Sequence, residues 1–423
     1  IVILNKSLAL ASNFNVSTNL IVFDQDEQED RAKEFHRSPR IILREPTDRI
    51  IIGTPPTEED PTRQSLLRLL LMPASMILFT VLIYIYSSSG AMMIMMFGMS
   101  VVTIITSLHG YVSDKKNYKE RQIKKVQDYK EYLQGKYIEL AKYAEEQKQS
   151  LTYHYPDVSN ILSMTKNVDR RIYEKTPYYF DFLTYKLGKG EVEPSFNVEY
   201  NKSETTKVKV EVDQDINNLL DYYKVIKDVA VKNDIHVPMG YIGTRRVVIE
   251  QVQQLIMQIA AFQSYHDVQF ITIFREEEKQ LWEWSKWLPH NKIKAFNSRG
   301  FVYDQRTRDQ LLTSLYQIIK DRKLDASQKS EGNKEKVYIP HYVVIITDLT
   351  LLLGHNIMEH IYEDLTGIGI SFVFVDEVIE SLPEHVKTVV DYRSEKKATL
   401  ILQKGEFVDK VFEPLPPISL AEK

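Results

Sequence analysis

Two uncharged apolar stretches, separated by only four residues, constrain the fold of this chain more than any other feature. Residues 69–86 and 91–108 contain no Asp, Glu, Lys or Arg, and Ser87-Ser88-Ser89-Gly90 separates them. Each has about the length that an α-helix needs to cross a hydrocarbon core roughly 30 Å thick. The alternative is a helical hairpin buried in a soluble domain, but a soluble helix normally has a polar face, and neither stretch has one. The sequence therefore predicts two transmembrane helices within residues 66–112.

Basic residues flank this hairpin on both sides and predict its orientation. Arg63 and Arg68 precede the first stretch, and the loop between the stretches is uncharged. The residues that follow the second stretch include Lys115, Lys116, Lys119, Arg121, Lys124 and Lys125. Because Lys and Arg concentrate on the cytoplasmic side of membrane proteins, we expect a multi-pass protein of the cell membrane with both termini in the cytoplasm.

Composition excludes several functional classes. The formal net charge is −4, which gives no bulk electrostatic case for nucleic acid as a partner. The chain has no cysteine, so it has neither a disulfide framework nor a thiolate metal site. His355 and His360 are five residues apart, which does not place both on one helix face. We predict no metal site.

The remaining chain divides by composition. Residues 1–23 alternate apolar and polar positions, as in the last strands of a domain, and the charged, proline-punctuated residues 24–65 are typical of a linker. After the membrane, apolar residues recur every three or four positions from Val126 to Ala144 on a charged helix. We predict a helical stalk at 113–178, an α/β domain at 179–412 and a linker at 413–423, and we expect the chain to be an internal piece of a longer protein.

The α/β pattern begins near residue 180. Apolar runs that alternate with helical patterns predict a largely parallel sheet with helices on both faces. The predicted strands are 182–187, 206–212, 237–242, 268–274, 342–347, 370–375 and 399–402. The predicted helices are 216–232, 249–263, 309–322, 356–365 and 383–390.

Several local motifs resemble one known family. They are Arg37-Ser38-Pro39-Arg40 with the later Pro55-Pro56, the run from Arg171 to Lys175 followed by Asp181-Phe182-Leu183, and the segments at 284–290 and 340–348. Together with the order of hairpin, stalk and α/β domain, they resemble the EssC/YukB family, the membrane-anchored FtsK/SpoIIIE-type ATPases of firmicute type VII secretion systems.

The resemblance implies more than the residues alone do. Residues 1–23 would be the remnant of a forkhead-associated-like domain, and 179–412 a RecA/P-loop-NTPase-like domain. ATP and Mg²⁺ would bind only in the parent's downstream ATPase domains, after residue 423. The implied partners are other membrane subunits, further copies of the chain in a hexamer, and exported WXG100-type proteins.

A phosphate-binding loop needs glycines, a Lys and a Ser/Thr in the pattern G-x-x-x-x-G-K-[ST], which this chain lacks. By the resemblance, the corresponding residues are Gly243, Thr244, Arg245, Arg246, Val248 and Ile249. Val248 and Ile249 stand about where the Lys and the Ser/Thr belong, and neither can coordinate a phosphate or Mg²⁺. Asp348 resembles the acidic end of a Walker B strand, but Leu349 replaces the acidic residue that orients the attacking water.

We therefore expect no catalytic residue in this chain and an anchoring and coupling role in type VII secretion. Arg245 and Arg246 leave open anion binding at a helix start, although a solvated basic pair is the simpler interpretation. One alternative is a weakly active ATPase domain with a rearranged phosphate loop. A second is an FtsK-like DNA translocase, which the acidic net charge disfavours.

Overall fold

The computed structural model describes residues 39–57, 71, 74–79, 81–82, 85, 90–200, 210–328, 336–419 and 422–423. The predicted remnant domain at 1–23 and the hairpin loop at 87–89 lie outside these residues. The chain divides into two compact units. The first comprises Ile1–Ile42, Pro156–Gly188 and Lys232–Lys423, and the second comprises Leu43–Tyr155 and Lys189–Val231.

The elements are numbered in chain order within the described residues. The strands are β1 Arg49–Ile52, β2 Thr184–Val192, β3 Asn197–Tyr200, β4 Ile226–Asp234, β5 Met239–Gly243, β6 Val268–Ile273, β7 Lys292–Ile293, β8 Ser298–Arg299, β9 Phe301–Val302, β10 His341–Ile346, β11 Ile370–Asp376, β12 Thr388–Ser394, β13 Lys397–Gln403 and β14 Glu406–Pro414. The helices are α1 Gly90–His154, α2 Val158–Lys166, α3 Val210–Tyr222, α4 Arg245–Phe262, α5 Lys279–Trp282, α6 Gln305–Ser327 and α7 Met358–Ile361.

The second unit is built on α1, a single helix of 65 residues. Leu133 and Leu140, from its predicted apolar stripe, are buried in a core that α3 completes with Ile216 and Leu219. Part of the predicted linker belongs to this core. Residues Arg49–Ile52 form β1, which pairs in parallel with β3 and buries Ile50 and Ile52, because alternate residues of a strand face the same side.

The N-terminal part of α1 is apolar and exposed. Within the described residues, one helix, Ile94–His154, is long and apolar enough to cross a membrane, and only 6% of its most apolar window is buried. Ile94 and Met95 are each 75% exposed. The described residues of the first stretch, such as 74–79, are helical, but two complete spans are not shown.

A mixed, mostly parallel sheet has ten strands, and eight of them, from β14 to β9 in the sheet order, lie wholly within the first unit. Its order is β4-β2-β14-β13-β12-β5-β11-β10-β6-β9. The six strands from β12 to β9 run parallel, and β12, β13 and β14 are antiparallel neighbours. Every residue of β6 and β10 is buried, as is every residue of β11 except Asp376, as expected for parallel strands covered on both faces.

Most of the predicted strands and helices are confirmed with shifted ends, and three are wrong. The segment 383–390 is not a helix, because the β-branched Thr388, Val389 and Val390 pair with β5. The predicted helix at 216–232 is divided between α3 and β4. Residues 201–209 lie outside the described part, but Val210–Val212, predicted as the end of a strand, begin α3.

Candidate functional site

Parallel strands bring the predicted nucleotide-site residues to one edge of the sheet. Gly243 ends β5, and Asp348 follows β10, with β11 lying between these two strands. Because all three strands are parallel, their carboxyl ends meet at the same edge. Ligands of α/β proteins bind in the crevice outside this edge, so the structure places the candidate residues where a site would be expected.

The connection between β5 and α4 is very short. Thr244 alone separates Gly243, the last residue of the strand, from Arg245, the first residue of the helix. Gly243 has a φ of 127°, and a Cβ atom there would lie 2.3 Å from the carbonyl oxygen of Tyr392. The Thr244 amide donates to that same carbonyl at 3.3 Å. The backbone therefore turns tightly against β12 and forms no wide loop.

The two aliphatic residues in the presumed Lys and Ser/Thr positions point into the protein. Val248 is fully buried and Ile249 is 4% exposed, both on α4. A side chain in either position packs within the hydrophobic interior and does not face the crevice. Their burial explains why both side chains are aliphatic, since α4 needs an apolar face against the sheet.

Arg245 forms hydrogen bonds with Glu278 and with the backbone of Thr347. Its guanidinium donates to Glu278 in bidentate fashion, with Nε–Oε1 at 2.6 Å and Nη2–Oε2 at 2.9 Å. Its Nη1 donates to the carbonyl oxygen of Thr347 at 3.1 Å. Bidentate Arg–carboxylate pairs are among the strongest protein hydrogen bonds. Arg245 thus connects the first turn of α4 to the end of β10.

The other candidate residues are also engaged. Asp348 Oδ1 accepts hydrogen bonds from the amide and hydroxyl of Thr350, at 3.1 and 2.6 Å, and caps the following 3₁₀ turn. Its Oδ2 lies 3.7 Å from Nε of Arg275. Leu349 packs on the hydrophobic core. Arg246, 78% exposed, pairs with Glu250 one turn along α4 at 3.3 Å; it is the solvated member of the basic pair.

A cleft of about 670 Å³ opens beside Gly243 and Arg245. Its charged lining consists of three carboxylates and two guanidinium groups: Glu377, Glu380, Asp391, Arg245 and Arg393. Arg393 is itself paired with Asp391, Nε to Oδ2 at 2.5 Å. The cleft therefore has a net negative lining, which opposes the binding of a polyphosphate.

Sequence reasoning missed the charged groups that pair with the candidate residues or line the cleft beside them. Glu278 and Arg275 come from the segment after β6, and Glu377 and Glu380 come from the segment after β11. One signal was present: the run Glu276-Glu277-Glu278 directly follows a fully buried strand. In a parallel sheet, such a position faces the same edge as the residues after the neighbouring strands.

A second charged cluster joins three of the segments that carry the resemblance. Arg40 Nη1 and Nη2 donate to the two carboxylate oxygens of Asp181, at 2.7 and 2.5 Å. Lys175 Nζ lies 3.3 Å from Asp181 Oδ2, and the Arg40 guanidinium stacks 4.7 Å above the Tyr179 ring. The side chains of Arg40, Lys175 and Asp181 are at most 2% exposed.

Burial sets the protonation behaviour of this cluster. It lowers the pKa of Lys175 to about 8, against the opposing charge of Asp181. Burial acts to raise the pKa of Asp181, but the hydrogen bond from Arg40 and the charge of Lys175 outweigh it and hold that pKa below its ordinary value. Removal of Asp181 would leave two buried cations without their bound carboxylate, so the cluster holds Arg40 on the α/β unit.

Four buried glutamines of α4 form hydrogen bonds with the backbone of three other segments. Gln258 exchanges two hydrogen bonds with the backbone of Lys186, at 2.9 and 3.0 Å. Gln251 and Gln254 donate to the carbonyl oxygens of Leu415 and Pro416, at 2.8 and 2.9 Å. Gln253 donates to the Leu281 carbonyl oxygen at 2.8 Å. The C-terminal segment, residues 415–419, therefore lies along the helix that begins at the candidate site.

An apolar cluster holds this C-terminal segment from the other side. Leu415 is buried with Val158 of α2 and Met257 of α4, and Ile418 packs on the same cluster. Residues predicted as part of a linker at 413–423 are thus packed on the α/β unit.

The chain is similar to two curated relatives over nearly its whole length. It is 40% identical to the type VII secretion system protein EssC of Staphylococcus aureus over 411 residues, which are 96% of this chain and 28% of that protein. It is 33% identical to the ESX secretion system protein YukB of Bacillus subtilis over 406 residues, 94% of this chain and 26% of YukB. The chain thus spans little more than a quarter of the length of either relative.

No protein-family model matches the chain. Among solved structures, EssC ATPases 2 and 3 from Geobacillus thermodenitrificans give a TM-score of 0.38 at 9% identity, covering 60% of this chain and 48% of that one. This structural likeness is weak, whereas the identity with the curated relatives extends over 94–96% of the chain. Over the part that it shares with EssC and YukB, the chain belongs to the EssC/YukB family of type VII secretion proteins.

Proposed function

We propose that this chain is the membrane-anchoring and coupling part of a type VII secretion ATPase, and that its α/β unit does not itself hydrolyse ATP. The observation that carries the second part is the one-residue connection between β5 and α4. A phosphate-binding loop wraps successive backbone amides around the phosphates and needs several residues to do so. Thr244 alone does not provide that cradle.

The charges around this connection support the same proposal. Arg245, the cation nearest to the missing loop, is held by Glu278 and by the Thr347 carbonyl. Asp348, which would hold Mg²⁺, is held by Thr350 and faces Arg275. Nucleotide binding would require both ion pairs to open and a polyanion to enter a cleft that already has an excess of carboxylates.

The coupling role rests on α4. Its first turn lies at the carboxyl edge of the sheet, beside the predicted nucleotide-site residues. Its middle holds the C-terminal segment through Gln251 and Gln254. A shift of the helix would therefore move the segment that we propose to lead into ATP- and Mg²⁺-binding domains downstream. The helix would transmit motion between those domains and this unit without any chemistry in the unit itself.

The anchoring role rests on the exposed apolar part of α1. A core helix of this hydropathy would be mostly buried, whereas only 6% of the most apolar window of this helix is buried. We propose that it crosses the cell membrane together with the preceding apolar stretch, as two spans with both termini in the cytoplasm. We further propose that this part contacts other membrane subunits of the secretion system. The parent protein would form a hexamer and export WXG100-type proteins through its downstream domains.

Nucleotide affinity tests the proposed inactivity. The whole chain, solubilised in detergent, would be titrated with Mg·ATP by calorimetry, and we expect no saturable binding at micromolar concentrations. Micromolar binding that Asp348→Ala abolishes and that the exposed control Asp309→Ala retains would overturn the proposal and favour the weakly active ATPase. A salt-dependent shift of labelled duplex DNA by the same protein would instead favour a DNA translocase.

A further inference from the structure

One segment of α1, residues 115–125, carries an unbalanced positive charge. It contains the six cations that follow the second apolar stretch and a single acid, Glu120. The side chains of Lys115, Lys119 and Lys124 are exposed. The segment begins three residues after Val112, an apolar residue that is 63% exposed.

The lysines of α1 after residue 125 differ from those of the basic segment. Each has a carboxylate partner: Lys130 lies 3.7 Å from Asp215, Lys136 2.8 Å from Glu139, Lys142 3.8 Å from Glu146 and Lys148 4.0 Å from Asp228. In the basic segment, Lys116 Nζ lies 3.9 Å from Oε1 of Glu120. Across the described residues, no carboxylate partner is found for Lys115, Lys119, Arg121 or Lys124.

The spacing of these cations works against an isolated helix. Lys115 and Lys119 are four residues apart, as are Arg121 and Lys125. Like charges at this spacing destabilise a helix, because side chains four residues apart are neighbours on its surface. A nearby anionic layer would remove that repulsion, and the paired lysines further along the helix have no such need.

The position of the segment points to the membrane surface. At 1.5 Å per residue, Lys115 lies about 5 Å and Lys119 about 10 Å beyond Val112 along the axis, within or next to a headgroup layer roughly 5–8 Å thick. Helical side chains lean toward the N-terminus of their helix, which in α1 is the apolar end, so these lysines lean toward the headgroups. Lys124, at about 18 Å, lies more than a Debye length beyond that layer.

We propose that the basic segment of α1 binds the headgroups of anionic phospholipids, with Lys115 and Lys119 making the main contacts. This inference rests on the proposed membrane anchoring, because it requires the apolar end of α1 to lie in the bilayer. An acidic protein or a nucleic acid could satisfy the same charges, but neither accounts for the position of the cations directly beside an exposed apolar helix. The segment therefore links the rigid helix to the composition of the membrane.

A lipid titration tests the proposal. The whole chain in neutral detergent would be titrated with short-chain phosphatidylglycerol or phosphatidylcholine, and bound lipid would be counted by native mass spectrometry. We expect preferential binding of phosphatidylglycerol, weakened by salt, with about a fivefold loss of affinity for each of Lys115→Gln and Lys119→Gln. Lys124→Gln should have a smaller effect because of its distance.

Lys136→Gln combined with Lys142→Gln is the matched control, since it removes the same charge from the same helix far from the apolar end. The variant that combines Lys115→Gln with Lys119→Gln should lose far more affinity for phosphatidylglycerol than this control. Equal effects of these two double variants, or equal binding of both lipids, would overturn the inference, as would binding of polyglutamate or duplex DNA with no preference for the anionic lipid. A single cysteine introduced as Met99→Cys separates this failure from a failure of the anchoring. If that cysteine is labelled by a water-soluble maleimide in nanodiscs, the anchoring itself is wrong.

Discussion

At the scale of single residues, the carboxyl edge of the sheet is arranged around opposite charges that satisfy one another. Arg245 pairs with Glu278, and Arg275 lies 3.7 Å from Asp348, at the edge where we propose that a nucleotide site has been lost. Gly243, Arg245 and Asp348, which the sequence assigns to a degenerate nucleotide site, lie at this one edge, and that assignment stays a prediction. The sequence did not reveal Glu278 as the partner of Arg245, because the two are 33 residues apart and only the sheet brings them together.

Gly243→Ala tests the tight turn between β5 and α4. The residue has a φ of 127°, and its new Cβ would meet the Tyr392 carbonyl oxygen at 2.3 Å. We expect the substitution to lower the free energy of unfolding by about 1–3 kcal/mol or more, measured by denaturant titration. Gly354→Ala is the control, since Gly354 has a φ of 80° with no atom within 4 Å of the new Cβ, and it should cost less. An equal loss in both variants would show that the contact with Tyr392 is unimportant.

Two buried histidines predict how stability depends on pH. Burial lowers the pKa of His290 to about 4 and that of His341 to about 3, below the ordinary value of 6.5. The folded state keeps both rings neutral while the unfolded state takes up protons, so their contribution is complete above pH 6.5 and is lost as pH falls toward the folded pKa values.

We therefore expect the free energy of unfolding to fall between pH 6.5 and 5, by at most about 1.4 kcal/mol per pH unit for each histidine. Denaturant titrations at successive pH values would measure it. His290→Asn should show a shallower slope, and His266→Gln, at an exposed position, should keep the original one. A slope that is unchanged in His290→Asn would rule out this source of acid sensitivity.

At the scale of elements, α4 is the centre of the α/β unit. Most of its residues are buried. Its glutamines form hydrogen bonds with backbone groups of β2, of α5 and of the C-terminal segment. Buried amides need partners, so these glutamines define which segments can lie against the helix. The sequence predicted the helix from its apolar run, but the partners of its polar residues are distant in the chain.

Gln251→Leu combined with Gln254→Leu tests this attachment. The change removes the donors to the Leu415 and Pro416 carbonyl oxygens, leaving each without its hydrogen bond at a cost of about 1–3 kcal/mol. We expect faster hydrogen exchange at Ile418 and Ser419, measured by mass spectrometry, with little change in β10 and β11. Gln263→Leu is the control, because this buried side-chain amide has no hydrogen-bond partner among the described residues. Unchanged exchange in the double variant would refute the attachment.

At the scale of the whole molecule, the proposed topology places the residues before the first apolar stretch and those after the second on the same side of the membrane. The charge asymmetry that predicts this is confined to the flanks of the two apolar stretches. The same topology requires the four-residue loop to be the one part of the hairpin that faces outward.

Single cysteines test this topology cleanly, because the chain has none of its own. In intact cells, Ser88→Cys should react with a membrane-impermeant maleimide, whereas Asn117→Cys and Ser419→Cys should react only after the membrane is opened. The unsubstituted chain gives the background. Labelling of Asn117→Cys from outside would reverse the orientation, and protection of all three positions would exclude a hairpin exposed at its loop.

The sequence by itself determined the apolar helix, the alternation of strands and helices, and the absence of phosphate-binding side chains at Val248 and Ile249. These follow from residue type and short-range periodicity, which act over a few neighbouring positions. Only the tertiary structure decided that the predicted linker contributes β1, that residues 415–419 pack on α4, and that Arg245 and Asp348 already have partners. Those features depend on contacts between residues far apart in the chain, and such contacts form only once the sheet and helices pack together.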